Sequence, residues 1–90
     1  MTIKRNALAG TLESSDALVK VAPSPGERKI ELESLVMHAY GDVIRGVIEK
    51  TLDSLELGSG TITVTDKGAV DAVLAARVEA AVRRACGEGD

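Results

Sequence analysis

Ninety residues allow one modest core rather than two domains, and with 44% hydrophobic but 1% aromatic residues (Tyr40 alone) that core has to be aliphatic. Eleven basic against 14 acidic residues leave a net charge of −3, which argues against a duplex-binding footprint, and one aromatic makes no stacking platform for single strands. One histidine, His38, and one cysteine, Cys86, form neither a metal cluster nor an internal disulfide.

The chain opens on Met1-Thr2-Ile3-Lys4-Arg5-Asn6, two basic residues with no apolar run behind them, so it does not read as a signal peptide. No stretch approaches the roughly 18 apolar residues of a membrane span. The expectation is a soluble, cytoplasmic protein, with residues 1–90 as a single domain.

Two short strands are expected over residues 7–13 and 17–22. In the second, Val19 and Val21 share one face while Leu18, Lys20 and Ala22 share the other. Between them Glu13-Ser14-Ser15-Asp16 reads as a hairpin loop, because serine and aspartate side chains hydrogen-bond nearby backbone. Pro23-Ser24-Pro25-Gly26 breaks the chain. Lys29-Ile30-Glu31-Leu32-Glu33 then alternates strictly, as a half-buried strand does.

From about Val36 to Leu55 the period changes. Val36, Tyr40, Val43, Ile44, Val47, Ile48, Leu52 and Leu55 recur at three- and four-residue steps, one stripe of an amphipathic helix. Gly41 and Gly46 interrupt it, which suggests close packing against a neighbour or a helix that starts near Asp42. Gly58-Ser59-Gly60 is a turn, and Thr61-Ile62-Thr63-Val64-Thr65 a strand with Ile62 and Val64 inward. A second helix is expected over residues 69–86, with Asp66 as its N-cap, Asp71 in its first turn, Arg83 and Arg84 in its last and Gly87 as its stop. The order β-β-β-α-β-α points to an α+β sandwich, a mainly antiparallel sheet covered on one face by two helices.

Few polar residues promise chemistry. His38 lies at a helix start without a second ligand, and Cys86 at a helix end without a base, so both read as structural. Glu31 and Glu33, and the pair Glu49 and Asp53, read as solvated faces. Arg83-Arg84 is too short for a basic patch, and Gly58-Ser59-Gly60 lacks the lysine of a phosphate loop. The serine pair Ser14-Ser15 remains. Without a His or Lys base a serine there is no activated nucleophile, but an exposed loop hydroxyl is within reach of a modifying enzyme.

Ala9-Gly10-Thr11-Leu12-Glu13-Ser14-Ser15-Asp16 resembles the N-terminal signature of the citrate lyase acyl carrier proteins, the γ subunits of citrate lyase. The resemblance continues at Tyr40-Gly41-Asp42-Val43-Ile44-Arg45, at Asp66-Lys67-Gly68-Ala69-Val70-Asp71 and at Leu74-Ala75-Ala76-Arg77-Val78-Glu79-Ala80, in the family's order. It implies a non-catalytic carrier that bears a covalent 2'-(5''-phosphoribosyl)-3'-dephospho-CoA group on Ser14, held by a phosphodiester, whose thiol carries acetyl and citryl thioesters. The partners it implies are the α (acyl transferase) and β (citryl lyase) subunits, a prosthetic-group transferase and an acetate ligase. Where the family has glycine after the serine this chain has Ser15, an alternative attachment residue that lacks glycine's freedom at positive φ. Glu13 and Asp16 would suit a basic docking surface on a partner.

Three other readings compete. One is an assembly module of the same fold with no attached group, and another is a small independent enzyme, which the scarcity of reactive side chains disfavours. The third is a conventional phosphopantetheine carrier, whose Asp-Ser-Leu motif occurs as Asp53-Ser54-Leu55, but late in an amphipathic helix rather than at a helix start.

Overall fold

Alternating side chains make the two central strands. In β2 (Ala17–Ala22) Ala17, Val19 and Val21 are buried, and in β4 (Thr61–Asp66) Ile62, Val64 and Asp66 are buried. The structure, a computed structural model, describes residues 1–88. The remaining elements are β1 (Ala7–Gly10), β3 (Lys29–Ser34), α1 (Met37–Ser54) and α2 (Asp71–Ala85), so the chain runs β-β-β-α-β-α as expected. The sheet order is β1-β2-β4-β3. β1 pairs antiparallel with β2, and β2 antiparallel with β4, whereas β3 and β4 run parallel. A parallel pair needs a crossover, and α1 supplies it.

Both helices lie on the face that carries Val19, Val21, Ile62 and Val64. α2 packs over β1 and β2, α1 over β3, and the helices pack against each other. Alanines at 81 and 85 are fully buried and let α2 lie close. Schellman motifs end both helices. In α2 the N–H groups of Gly87 and Glu88 donate to the carbonyls of Arg84 (3.1 Å) and Arg83 (2.8 Å). In α1 those of Glu56 and Leu57 donate to Asp53 (3.0 Å) and Leu52 (3.1 Å).

Several expectations are corrected. The first strand stops at Gly10 rather than running to Glu13. Gly10 has φ +93°, and a Cβ there would lie 1.8 Å from the Ala17 carbonyl oxygen, so the chain turns at a position only glycine fits. The first helix begins at Met37 and runs through Gly41 instead of starting near Asp42. The atoms nearest to where a Gly41 Cβ would sit belong to Met37 of the same helix, and Gly46 faces open space, so Gly46 is not there for close packing. The apolar stripe of α1 divides: Ile44, Ile48 and Leu52 are buried, while Val36, Tyr40 and Val43 are exposed. α2 starts at Asp71 with Val70 in the N-cap position and no side-chain cap, so Asp66 is not its N-cap.

The two glycines separate local propensity from close approach. Gly46→Ala is expected to stabilise the protein by about 0.5–1 kcal/mol, and Gly10→Ala to destabilise it by about 3 kcal/mol or more. Urea denaturation measures both, and effects of the same sign would contradict the assignment.

Candidate functional site

Glu13-Ser14-Ser15-Asp16 forms a tight turn at the tip of the β1–β2 hairpin. The Asp16 N–H donates to the Glu13 carbonyl at 3.2 Å. Ser15 has φ +66°, and Ser14 is not among the positive-φ residues. A negative φ followed by a positive one is the pattern of a type II turn, whose third position favours glycine. Ser15 therefore takes a left-handed backbone that glycine adopts freely. Ser14 and Ser15 are both exposed.

Asp16 fixes the turn. One carboxylate oxygen, Oδ2, accepts from Thr11 Oγ1 (2.7 Å) and Arg77 Nη2 (2.9 Å), and the other, Oδ1, from the Ala17 N–H (2.7 Å) and Arg77 Nε (2.9 Å). Thr11 Oγ1 also accepts from the Glu13 N–H at 3.2 Å. The two-pronged contact from Arg77 has the geometry in which guanidinium and carboxylate bind best. Those donors, Arg77 first, then Thr11 and Ala17, hold the Asp16 carboxyl well below the usual carboxylate range. Asp16 is thus engaged within the chain and unavailable as a docking acid, whereas Glu13 stays exposed.

The loop that follows β4 braces the turn from its other side. The Ser15 N–H donates to the Lys67 carbonyl and the Lys67 N–H to the Asp16 carbonyl, both at 2.8 Å. That loop is itself held by buried Asp66. Its Oδ1 accepts from the N–H groups of Gly68 (3.2 Å) and Ala69 (3.0 Å), and its Oδ2 from Ser34 Oγ (2.7 Å). Ser34 Oγ in turn accepts from the Val36 N–H at 3.2 Å, at the entry to α1. Beside this loop Val36, Tyr40, Val43 and Ile44 line an open groove together with Asp66, Gly68, Ala69 and Asp71.

His38 is exposed in the first turn of α1, and Cys86 is half-buried at the C-cap of α2. No group of acidic, His and Cys side chains suited to a metal ion occurs among the described residues. Ser54 is the last residue of α1, where its hydroxyl donates to the Thr51 carbonyl at 2.7 Å. Asp53 is no merely solvated acid, since it pairs with Arg28. Asp66 and Arg77 are the positioning residues that local pattern missed. Arg77 lies 61 residues from Asp16, and only its place in a segment of family resemblance marked it.

Two measurements check this geometry. Ser15→Gly is expected to stabilise the fold by about 0.5–1 kcal/mol, the left-handed cost less glycine's extra chain entropy; a loss of stability would contradict the strained turn. The folded pKa of Asp16 lies below its unfolded value, so the ionised carboxylate stabilises the fold at neutral pH. That contribution falls away as pH drops below about 4. Asp16→Asn should therefore melt well below the parent at pH 7, with the gap closing in acid. A gap independent of pH would contradict it.

Comparison with known proteins agrees with this architecture. A family model described as the malonate decarboxylase delta subunit (MdcD), of acyl carrier type, matches residues 4–85. The citrate lyase acyl carrier protein of Cronobacter sakazakii is 50% identical over 86 residues, covering 96% of this chain and 89% of that protein. Its counterpart from an Enterobacter species is 51% identical over 88 residues, covering 98% and 91%. A chain from the crystal structure of a Pseudomonas malonate decarboxylase hetero-tetramer in complex with malonate superposes with a TM-score of 0.79. It is 23% identical, with 91% of this chain and 84% of that one covered, and so supports the fold alone. With half its residues shared over nearly its whole length, the chain belongs to the citrate lyase acyl carrier protein family.

Proposed function

We propose that this chain is the acyl carrier (γ) subunit of citrate lyase and that Ser14 is its attachment residue. The observation that carries the reading is the turn itself. It presents an exposed serine on a backbone fixed on both sides, by Asp16–Arg77 and by Lys67. The single histidine, His38, lies in the first turn of α1 and not in the serine turn, and in this reading a separate transferase supplies the chemistry of attachment.

The residues present suit a 2'-(5''-phosphoribosyl)-3'-dephospho-CoA group joined by a phosphodiester. Ser14 is exposed, and the one carboxylate closest in sequence on the β2 side, Asp16, is already neutralised by Arg77. When attached, that group supplies the thiol on which acetyl and citryl units ride while citrate is split to acetate and oxaloacetate. The chain's own part is to hold Ser14 out at a fixed place and to dock. Partners in this reading are the α acyl transferase and β citryl lyase subunits, the prosthetic-group transferase and an acetate ligase, in a cytoplasmic complex of citrate fermentation. Among the described residues no helix is long and apolar enough to cross a membrane.

The test is activity of the complex purified from its native cell. Ser14→Ala should abolish citrate cleavage while changing stability by less than about 0.5 kcal/mol, and Ser15→Gly should keep activity. The reverse pattern would move the attachment to Ser15. Full activity in both variants would overturn the carrier reading in favour of an assembly module without a prosthetic group.

A further inference from the structure

Two helices cover one face of the sheet, and among the described residues no helix lies on the other. Alternation puts Leu8, Lys20, Ala22, Thr61 and Thr63 on that open face. Register sets Leu8, Lys20, Thr63 and Glu31 side by side across the four strands. Between β1, β2 and β4 the face is hollowed into a cavity of about 600 Å³, walled in part by Asn6, Leu8, Lys20, Ala22, Thr61 and Thr63. Small-molecule sites span about 300–1,000 Å³ and combine apolar walls with a few polar groups.

Charge decides what can occupy it. Lys20 is the only charged residue that lines the cavity. It is exposed, and among the described residues its side chain forms no ion pair or hydrogen bond. The two threonine hydroxyls are engaged, Thr61 Oγ1 donating to Ser24 Oγ (3.0 Å) and Thr63 Oγ1 to Glu31 Oε1 (3.2 Å). The acids of this face, Glu31 and Glu33, stand on β3 with Lys29, two strand spacings or about 10 Å from β2, and line a separate groove. The cavity therefore suits an anion with an apolar extension.

The serine turn ends the same hairpin. Lys20 is four residues from Asp16, about 13 Å along β2. Beyond its phosphodiester, a phosphoribosyl-dephospho-CoA group carries a diphosphate and then a pantetheine arm with geminal methyl groups and two amides. A tether makes its contact with the chain intramolecular, at an effective concentration on the order of millimolar, so one cation beside a shallow apolar wall suffices to hold it. We infer that the open sheet face is the resting site of the group attached at Ser14, with Lys20 meeting its diphosphate and Leu8 and Ala22 its pantetheine arm. The inference rests on the carrier reading and deepens it by naming where the group lies when no partner holds it.

The test compares the full chain carrying the group, isolated from its native cell with its mass confirmed, with the same chain made without the group. Amide NMR should differ between the two at residues 6–8, 20–22 and 61–63 as well as at the turn. Phosphorus NMR of the diphosphate should differ from that of free dephospho-CoA. Lys20→Glu should remove most of the remote amide differences and return the diphosphate signals to their free positions, and high salt should do so in part. Lys50→Glu, the same charge change at an exposed site on α1, should leave both unchanged. Equal melting of each variant and its parent without the group checks the fold. Differences confined to residues 11–16 and 67, or signals indifferent to Lys20→Glu, would overturn the inference. So would the same amide shifts arising with protein concentration in the chain without the group, which would give the face to a second copy. A mass that shows no group on Ser14 would instead overturn the carrier reading itself.

Discussion

The site depends on one ion pair, Arg77 with Asp16. A reactive group on a protein surface has two opposing needs: it must be open to other proteins, and it must sit in a defined place. An exposed four-residue turn meets the first need and has little packing with which to meet the second. Asp16 resolves the conflict from within the turn. Its two oxygens take four hydrogen bonds, two of them from a helix that is anchored in the core by Leu74, Val78, Ala81 and Val82. The order of the core is thereby passed to Ser14, two residues away, without covering it. Gly10 belongs to the same device, because its left-handed backbone and missing side chain let the hairpin close against Ala17.

A second polar junction lies behind the first. Buried Asp66 ties the ends of the parallel strands together through Ser34 and shapes the loop at Gly68 and Ala69. A buried carboxylate is costly unless its lone pairs are filled, and here three donors fill them. The result is a rigid link that runs from the start of α1 through the β4–α2 loop to the serine turn. Segments of the family resemblance, from the serine hairpin near the start of the chain to residues 74–80, meet along this link. One segment holds the serine, one its brace, one the arginine that staples it, and one the apolar residues Tyr40 and Val43 beside the β4–α2 loop.

Much of this was legible in the sequence. Strict alternation marked β2, β3 and β4, because a strand with one buried face must alternate. Two helices and the polar hairpin tip followed from period and turn chemistry. Other features were hidden for physical reasons. Asp16 and Arg77 are 61 residues apart, and no local pattern relates them. Asp66 looked like a helix cap because an aspartate before a helix usually is one, yet the inward alternation of β4 carries its side chain into the core. Periodicity also placed Val36, Tyr40 and Val43 on the buried stripe of α1. Period shows which side chains share a face, not where the covering sheet ends, and at this end of α1 the sheet leaves them open. The parallel pairing of β3 with β4 was equally beyond local reading, since it depends on where the crossover lands.

The proposed attachment at Ser14 suits a turn that leaves the hydroxyl exposed while the backbone on both sides of it is held. Mass spectrometry of the intact protein from its native cell, followed by peptide fragmentation, tests this most directly. The account predicts a single added mass equal to the phosphoribosyl-dephospho-CoA group, localised to Ser14. An unmodified chain within an active complex, or an adduct on Ser54, would contradict it.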